Sequence, residues 1–163
     1  YAIKSLDIQH IVVCGHTTCG AMKGLLQVGE LEEKMPLVYN WLKHTEATRE
    51  LVEDHYGHLP KAEKLSTLVA ENVLTQIDNL KTYPSVRSHL HRNEVQLHGW
   101  IYNIVDGTVL TYDRANHTFV TIANSPYERN EEPIADRGGY GSSRLAQGQR
   151  DRIFRGSPAF YNS

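Results

Sequence analysis

The segment HIVVCGHTTCGAM, residues 10–22, constrains the fold more than any other part of the chain. Ile11, Val12 and Val13 form a continuous apolar run, which reads as a short strand buried on both faces of a parallel sheet. Gly15 and Gly20 bracket a tight connection, and Ala21, Met22, Leu25 and Leu26 then follow at helical spacing. That order places His16 at the carboxyl end of the strand and Cys19 at or near the start of the helix. Open α/β sheets bind ligands in the crevice beyond the carboxyl ends of their strands. Imidazole and thiolate are the donors zinc prefers, and a helix N-terminus favours thiolate over thiol. His16 and Cys19 are therefore a candidate metal pair. The His-x-x-Cys spacing by itself is common in chains that hold no metal, and catalytic zinc takes three protein ligands.

The rest of the chain reads as an α/β domain. Tyr1–Leu6 carries Ala2, Ile3 and Leu6 on one helical face with no capping residue in front, so the expectation is a helix that begins further upstream. Helix, strand and helix in succession is the grammar of a parallel sheet with right-handed crossovers. Gln27–Met35 is polar and acidic and reads as a surface connection. Pro36 suits a first helical position, and Val38, Trp41, Leu42, Thr45, Leu51, Val52 and Tyr56 continue at helical spacing to Gly57 and Pro60. A second long helix has the apolar stripe Leu65, Leu68, Val69, Val73, Ile77 and Leu80. Ser66 caps it, or Lys61–Lys64 extend its start. Asn72, Gln76 and Asn79 face solvent or bond across a subunit interface. Tyr83-Pro84 ends this helix, because the residue before proline avoids the α region, and Val86 and Leu90 suggest a short third piece. Val95–Val105 and Thr108–Tyr112 read as strands joined at Asp106-Gly107, a two-residue hairpin signal. Thr118–Ile122 adds a further strand.

Composition narrows the function classes. A chain of 163 residues allows one domain with a modest core. A formal net charge of −2 gives no reason to expect a nucleic-acid partner. No apolar run reaches membrane-spanning length, and no signal peptide is expected. Two cysteines close in sequence suggest a reducing compartment rather than a disulfide framework. The chain opens on Tyr1 and not Met, which points to a processed, engineered or partial chain. Beyond Ala123, prolines, glycines and serines interrupt any periodicity, so residues 1–122 read as the folded part and 123–163 as a flexible extension. Within it, Arg150–Gly156 combines charge with Ile153 and Phe154. It is either a disordered end or a docking motif that orders on binding. His44, His55 and His58 read as solvated, His89 and His91 as helix-end cations, and His98 as a packed or hydrogen-bonded sheet histidine. Cys14 reads as a small buried core residue. Thr17 and Thr18 line the turn without a chemical role, and Gly20 either permits a close backbone approach or is only a cap.

The stretch VVCGHTTCGAMKGLL resembles the second metal-ligand motif of the β-class carbonic anhydrases. PLVYNWLKHTEATRELV, VAENVLTQIDNLKTYPSV and LHGWIYNIVDGTVLTYD resemble further segments of that family in the same order. The likeness runs from Tyr1 to about Ile122 and is greatest to the branch found in cyanobacterial carboxysomes. It implies the β-carbonic anhydrase fold, a parallel β-sheet core flanked by helices, here truncated at the N-terminus. It also implies Zn2+ held by His16 and Cys19, reversible hydration of carbon dioxide to bicarbonate, and a homodimer or larger assembly. The family's first motif, Cys-x-Asp-x-Arg, is absent. The resemblance therefore puts the third ligand and the catalytic Asp–Arg pair outside this chain, and implies that the isolated chain is inactive. The tail resembles that of carboxysomal carbonic anhydrases, so Arg150, Arg152, Ile153, Phe154 and Arg155 are expected to dock on the carboxysome scaffold protein. That implies a cytoplasmic location within the carboxysome. Two alternatives stand beside this reading: a zinc hydrolase acting on carbonyl sulfide or carbon disulfide, and a non-catalytic assembly module.

Overall fold

The computed structural model describes residues 1–122; the expected linker beyond Ala123 and the motif at Arg150–Gly156 lie outside the described residues. In chain order the elements are α1 (Ala2–Leu6), β1 (His10–His16), α2 (Gly20–Leu25), α3 (Val28–Lys34) and α4 (Pro36–Leu42), followed by a 3-10 turn at Lys43–Thr45. Then come α5 (Glu46–Tyr56), α6 (Lys61–Thr82), α7 (Pro84–His91), β2 (Gln96–Tyr102), β3 (Val109–Asp113) and β4 (Thr118–Thr121). β1 and β2 pair in parallel, from His10↔Gln96 to His16↔Tyr102. Parallel neighbours need a long crossover, and α2–α7 supply it. β3 and β4 continue antiparallel, giving a mixed sheet in the order β1-β2-β3-β4. The expected parallel pairing is thus at the metal-pair end, and the hairpin extends the sheet away from it. Among the described residues no helix is long and apolar enough to cross a membrane.

The core forms where α6 crosses the sheet. Leu68, Val69, Val73, Leu74 and Ile77 of α6 are buried with Leu97 and Ile101 of β2, Leu110 of β3 and Phe119 of β4. The helix lies so close that a Cβ added at Gly15 would stand 2.8 Å from Val73 Cγ2, and one at Gly99 would stand 3.0 Å from Ile77 Cδ1.

Several expectations are corrected by this packing. β1 is not buried on both faces. Ile11 and Val13 are half-buried, but His10, Val12 and Cys14 point to the opposite face and are exposed, Val12 by 41%. Alternate residues of a strand face opposite ways; α6 packs on β1, and among the described residues β1 pairs on one edge only. Cys14 is accordingly a surface residue and not part of the core. Gln27–Met35 is not a plain connection, because burial of Leu31 organises it into α3. The first long helix is broken at Lys43–Thr45, where the Thr45 hydroxyl donates to the Leu42 carbonyl at 2.6 Å and competes with the helical ladder. Ser66 does not cap α6, which starts after Pro60; its hydroxyl donates back to the Ala62 carbonyl. Asn72, Gln76 and Asn79 bond to one another along α6 at 3.1 Å each. β2 stops at Tyr102, three residues before Val105, and six residues, Asn103–Thr108, join it to β3. Gly107 still takes the left-handed conformation (φ 75°) its hairpin signal requires, and its N–H donates to the Asn103 carbonyl.

Candidate metal centre

His16 is the last residue of β1, and Cys19 directly precedes the first turn of α2. Both are half-buried, and the Cys19 thiol is free. The two residues between them make the turn. Thr18 sits at φ 54°, a conformation a β-branched residue rarely adopts and one that costs about 1–3 kcal/mol.

The orientation of His16 is set by its neighbour. His16 Nδ1 lies 2.9 Å from the Thr17 carbonyl oxygen. A carbonyl can only accept, so the neutral imidazole carries its proton on Nδ1. Its Nε2 lone pair is then left for a metal, as in metal sites where a carbonyl holds the second ring nitrogen. Thr17 is itself held from three directions. Its N–H donates to the Tyr102 carbonyl at 2.9 Å, closing the parallel ladder. Its hydroxyl accepts from Ile104 N–H at 3.1 Å and donates to Asn103 Oδ1 at 3.4 Å. Asn103 Oδ1 also accepts from Val105 N–H at 3.0 Å. Thr17 is buried and Asn103 wholly so.

Sequence reasoning missed both residues. From sequence alone Thr17 only lines the turn, and Asn103 falls within the expected strand Val95–Val105. The available signal was a lone amide among the apolar residues of YNIV, where a continuing strand would bury a polar side chain at a cost.

Neutral imidazole and thiolate fit zinc. Among the described residues, however, no group of three or more His, Cys, Asp or Glu side chains could hold a metal ion. Among the described residues His16 and Cys19 thus remain a pair of candidate donors. Cys14 shares the open face with His16, but the structure does not gather it into a three-donor group; its Sγ lies 3.4 Å from the Gly15 carbonyl. Gly20 has open space around it rather than a close backbone approach. The close approach belongs to Gly15, one residue before His16.

The remaining histidines lie elsewhere. His44, His55, His58 and His91 are exposed, and His89 is tied to the Ser85 carbonyl at 2.7 Å. His98 is a hydrogen-bonded sheet histidine, with its Nε2 3.0 Å from His10 Nδ1. It pairs with Val12, four residues along the ladder from the Tyr102 pair of His16, or roughly 13 Å at strand rise. Burial, then the charges of His10 and Arg114, push its pKa below the ordinary 6.5.

Known proteins resemble this arrangement. A family model described as carbonic anhydrase matches residues 1–109. The chain is 58% identical over 120 residues to a carbonic anhydrase of Synechocystis sp., covering 74% of this chain and 44% of that protein. It is 53% identical over 126 residues to one of Synechococcus elongatus, covering 77% and 46% respectively. It also aligns with the solved structure of the β-carbonic anhydrase CcaA at TM-score 0.72 and 58% identity, over 74% of this chain and 59% of that one. The chain thus spans less than half the length of these two curated relatives.

Proposed function

The chain belongs to the β-class carbonic anhydrase family, and from that premise we propose that it forms the His-and-Cys half of a zinc centre that hydrates carbon dioxide reversibly to bicarbonate. The observation that carries this reading is the Nδ1 bond of His16 to the Thr17 carbonyl, which leaves Nε2 free as a donor three residues before Cys19, with a strained turn between them. Zinc, when bound, supplies the Lewis acid that makes water a nucleophile at neutral pH. The chain's residues act around it. His16 and Cys19 hold the metal, the Thr17 carbonyl fixes the imidazole, and the Thr18 turn sets the two donors against each other. No described residue takes the part of the family's Asp–Arg pair.

The same reading places the protein in a homodimer or larger assembly. Support comes from α4, which leaves Leu37 (84%) and Trp41 (74%) exposed where a partner would cover them. The likeness to cyanobacterial relatives supports a carboxysomal location, with Arg150, Arg152, Ile153, Phe154 and Arg155 docking on the scaffold protein.

The test measures zinc affinity by chelator competition for the 163-residue chain, His16→Ala and Cys19→Ala, with stopped-flow hydration of carbon dioxide alongside. Either substitution is expected to abolish stoichiometric zinc, and the zinc-loaded chain is expected to show no hydration above background. Zinc retained at full affinity in either variant would overturn the ligand assignment. Hydration by the chain that disappears in Cys14→Ser would make Cys14 the third donor. In the protein with its complete zinc centre, faster turnover of carbonyl sulfide than of carbon dioxide would overturn the substrate assignment.

A further inference from the structure

We propose that Asn103 and Thr17 form a clamp that positions the imidazole of His16, a proposal that rests on His16 being a zinc ligand. The clamp is a chain of bonds between segments 86 residues apart. Asn103 Oδ1 receives Val105 N–H and the Thr17 hydroxyl, the Thr17 hydroxyl receives Ile104 N–H, and the Thr17 carbonyl receives the His16 Nδ1 proton. The Thr17 N–H is bound to Tyr102 as well. Every polar atom of residue 17 is thus engaged, so its carbonyl cannot rotate away and the imidazole proton has a fixed acceptor.

A second observation separates this from loop bracing. Asn103 is 0% exposed, yet its Nδ2 has no hydrogen-bond partner among the described residues. An unpaired buried donor lowers stability, and an apolar side chain of similar size would avoid that cost. What the amide adds is Oδ1, which accepts both from Val105 N–H of the β2–β3 connection and from the Thr17 hydroxyl in the turn that carries the ligand. Partners of this kind, standing behind a metal-bound histidine, fix its tautomer and ring orientation. Losing one typically weakens metal binding ten- to a hundredfold. The two residues are positioning residues and touch neither metal nor substrate.

The experiment has two readouts on the 163-residue chain. In the metal-free protein, at alkaline pH where imidazole is neutral, two-bond 1H–15N spectra report which nitrogen of His16 carries the proton. Chelator competition then reports zinc affinity. The wild-type chain is expected to show His16 protonated on Nδ1. Thr17→Val keeps the side-chain shape and removes the hydroxyl. It is expected to give a mixed tautomer and about tenfold weaker zinc binding, with Asn103→Ala moving both readouts the same way. Thr17→Ser restores the hydroxyl and is expected to return both readouts to wild type. A brace that only stabilised the loop would lower the melting temperature in Thr17→Val and leave the tautomer unmixed, which would overturn the proposal. Should Thr17→Val fail to fold, the wild-type spectrum still decides: a proton on Nε2 would refute the clamp. Failure of the wild-type chain to bind zinc would overturn the ligand reading, and the metal-free tautomer tests the clamp apart from it.

Discussion

Replacing Gly15 by alanine tests the closest contact between helix and sheet. The new Cβ would stand 2.8 Å from Val73 Cγ2 and 3.0 Å from Val69 Cγ1, against about 3.5–4.0 Å for carbon atoms at ease. Neither valine can swing aside, because a β-branched side chain in a helix has one strongly preferred χ1 rotamer. Nor can α6 simply lift, since Val73 and Ile77 also rest on Gly99. Overpacking of this kind costs about 1–3 kcal/mol. With two contacts short by several tenths of an ångström, we expect about 2 kcal/mol. In a folded unit of this size that lowers Tm by roughly 6–10 °C. Equilibrium urea unfolding of the 163-residue chain, with Gly15→Ala, Val73→Ala and the double variant, measures the loss and its source. Because Val73→Ala removes the nearer clashing methyl, the pair should couple by about 1 kcal/mol or more. A Gly15→Ala loss under about 0.5 kcal/mol, with no coupling to Val73, would refute the claim that this glycine sets the helix-to-sheet distance.

Other substitutions probe the turns and the pH response. Thr18→Gly removes a β-branched residue from positive φ and should raise unfolding free energy by about 1 kcal/mol; a measured loss of stability would contradict the strain assignment. Asp113→Ala should cost about 1–2 kcal/mol in denaturant unfolding, because the buried carboxylate receives Ala115 N–H at 2.9 Å and the Asn116 amide at 2.6 Å; an unchanged midpoint would show the β3–β4 turn holds without it. His98 has its folded pKa pushed below 6.5 by burial, and by His10 and Arg114, so the unfolded chain takes up the proton first as pH falls. Its contribution is intact above about pH 6.5 and erodes as pH drops through 6.5 toward the folded value. Unfolding midpoints measured from pH 8 down to 5 should fall less steeply in His98→Asn, and identical slopes would remove His98 from the acid response.

The local features of this chain were legible because they depend on neighbours in sequence. Ile11–Val13 followed by a helical pattern makes a strand, a turn and a helix wherever the segment packs, and His16 and Cys19 fall at the two sides of that turn. Pro84 ends α6 because of its own ring, and Gly107 takes positive φ because it lacks a Cβ. The faces were not legible in the same way. Whether Val12 and Cys14 are covered depends on what lies against each side of β1, and an apolar run reads alike in either case. Residue type also could not show why Gly15 is glycine, since the reason is the pair Val69 and Val73 more than fifty residues away. The clamp behind His16 is the clearest case. Thr17 and Asn103 are unremarkable polar residues in their own segments. Only the parallel register that sets His16 beside Tyr102 brings them within bonding distance. Donor identity is a property of the side chain, but the direction in which a donor's lone pair points is set by hydrogen bonds that close only when the two strands meet.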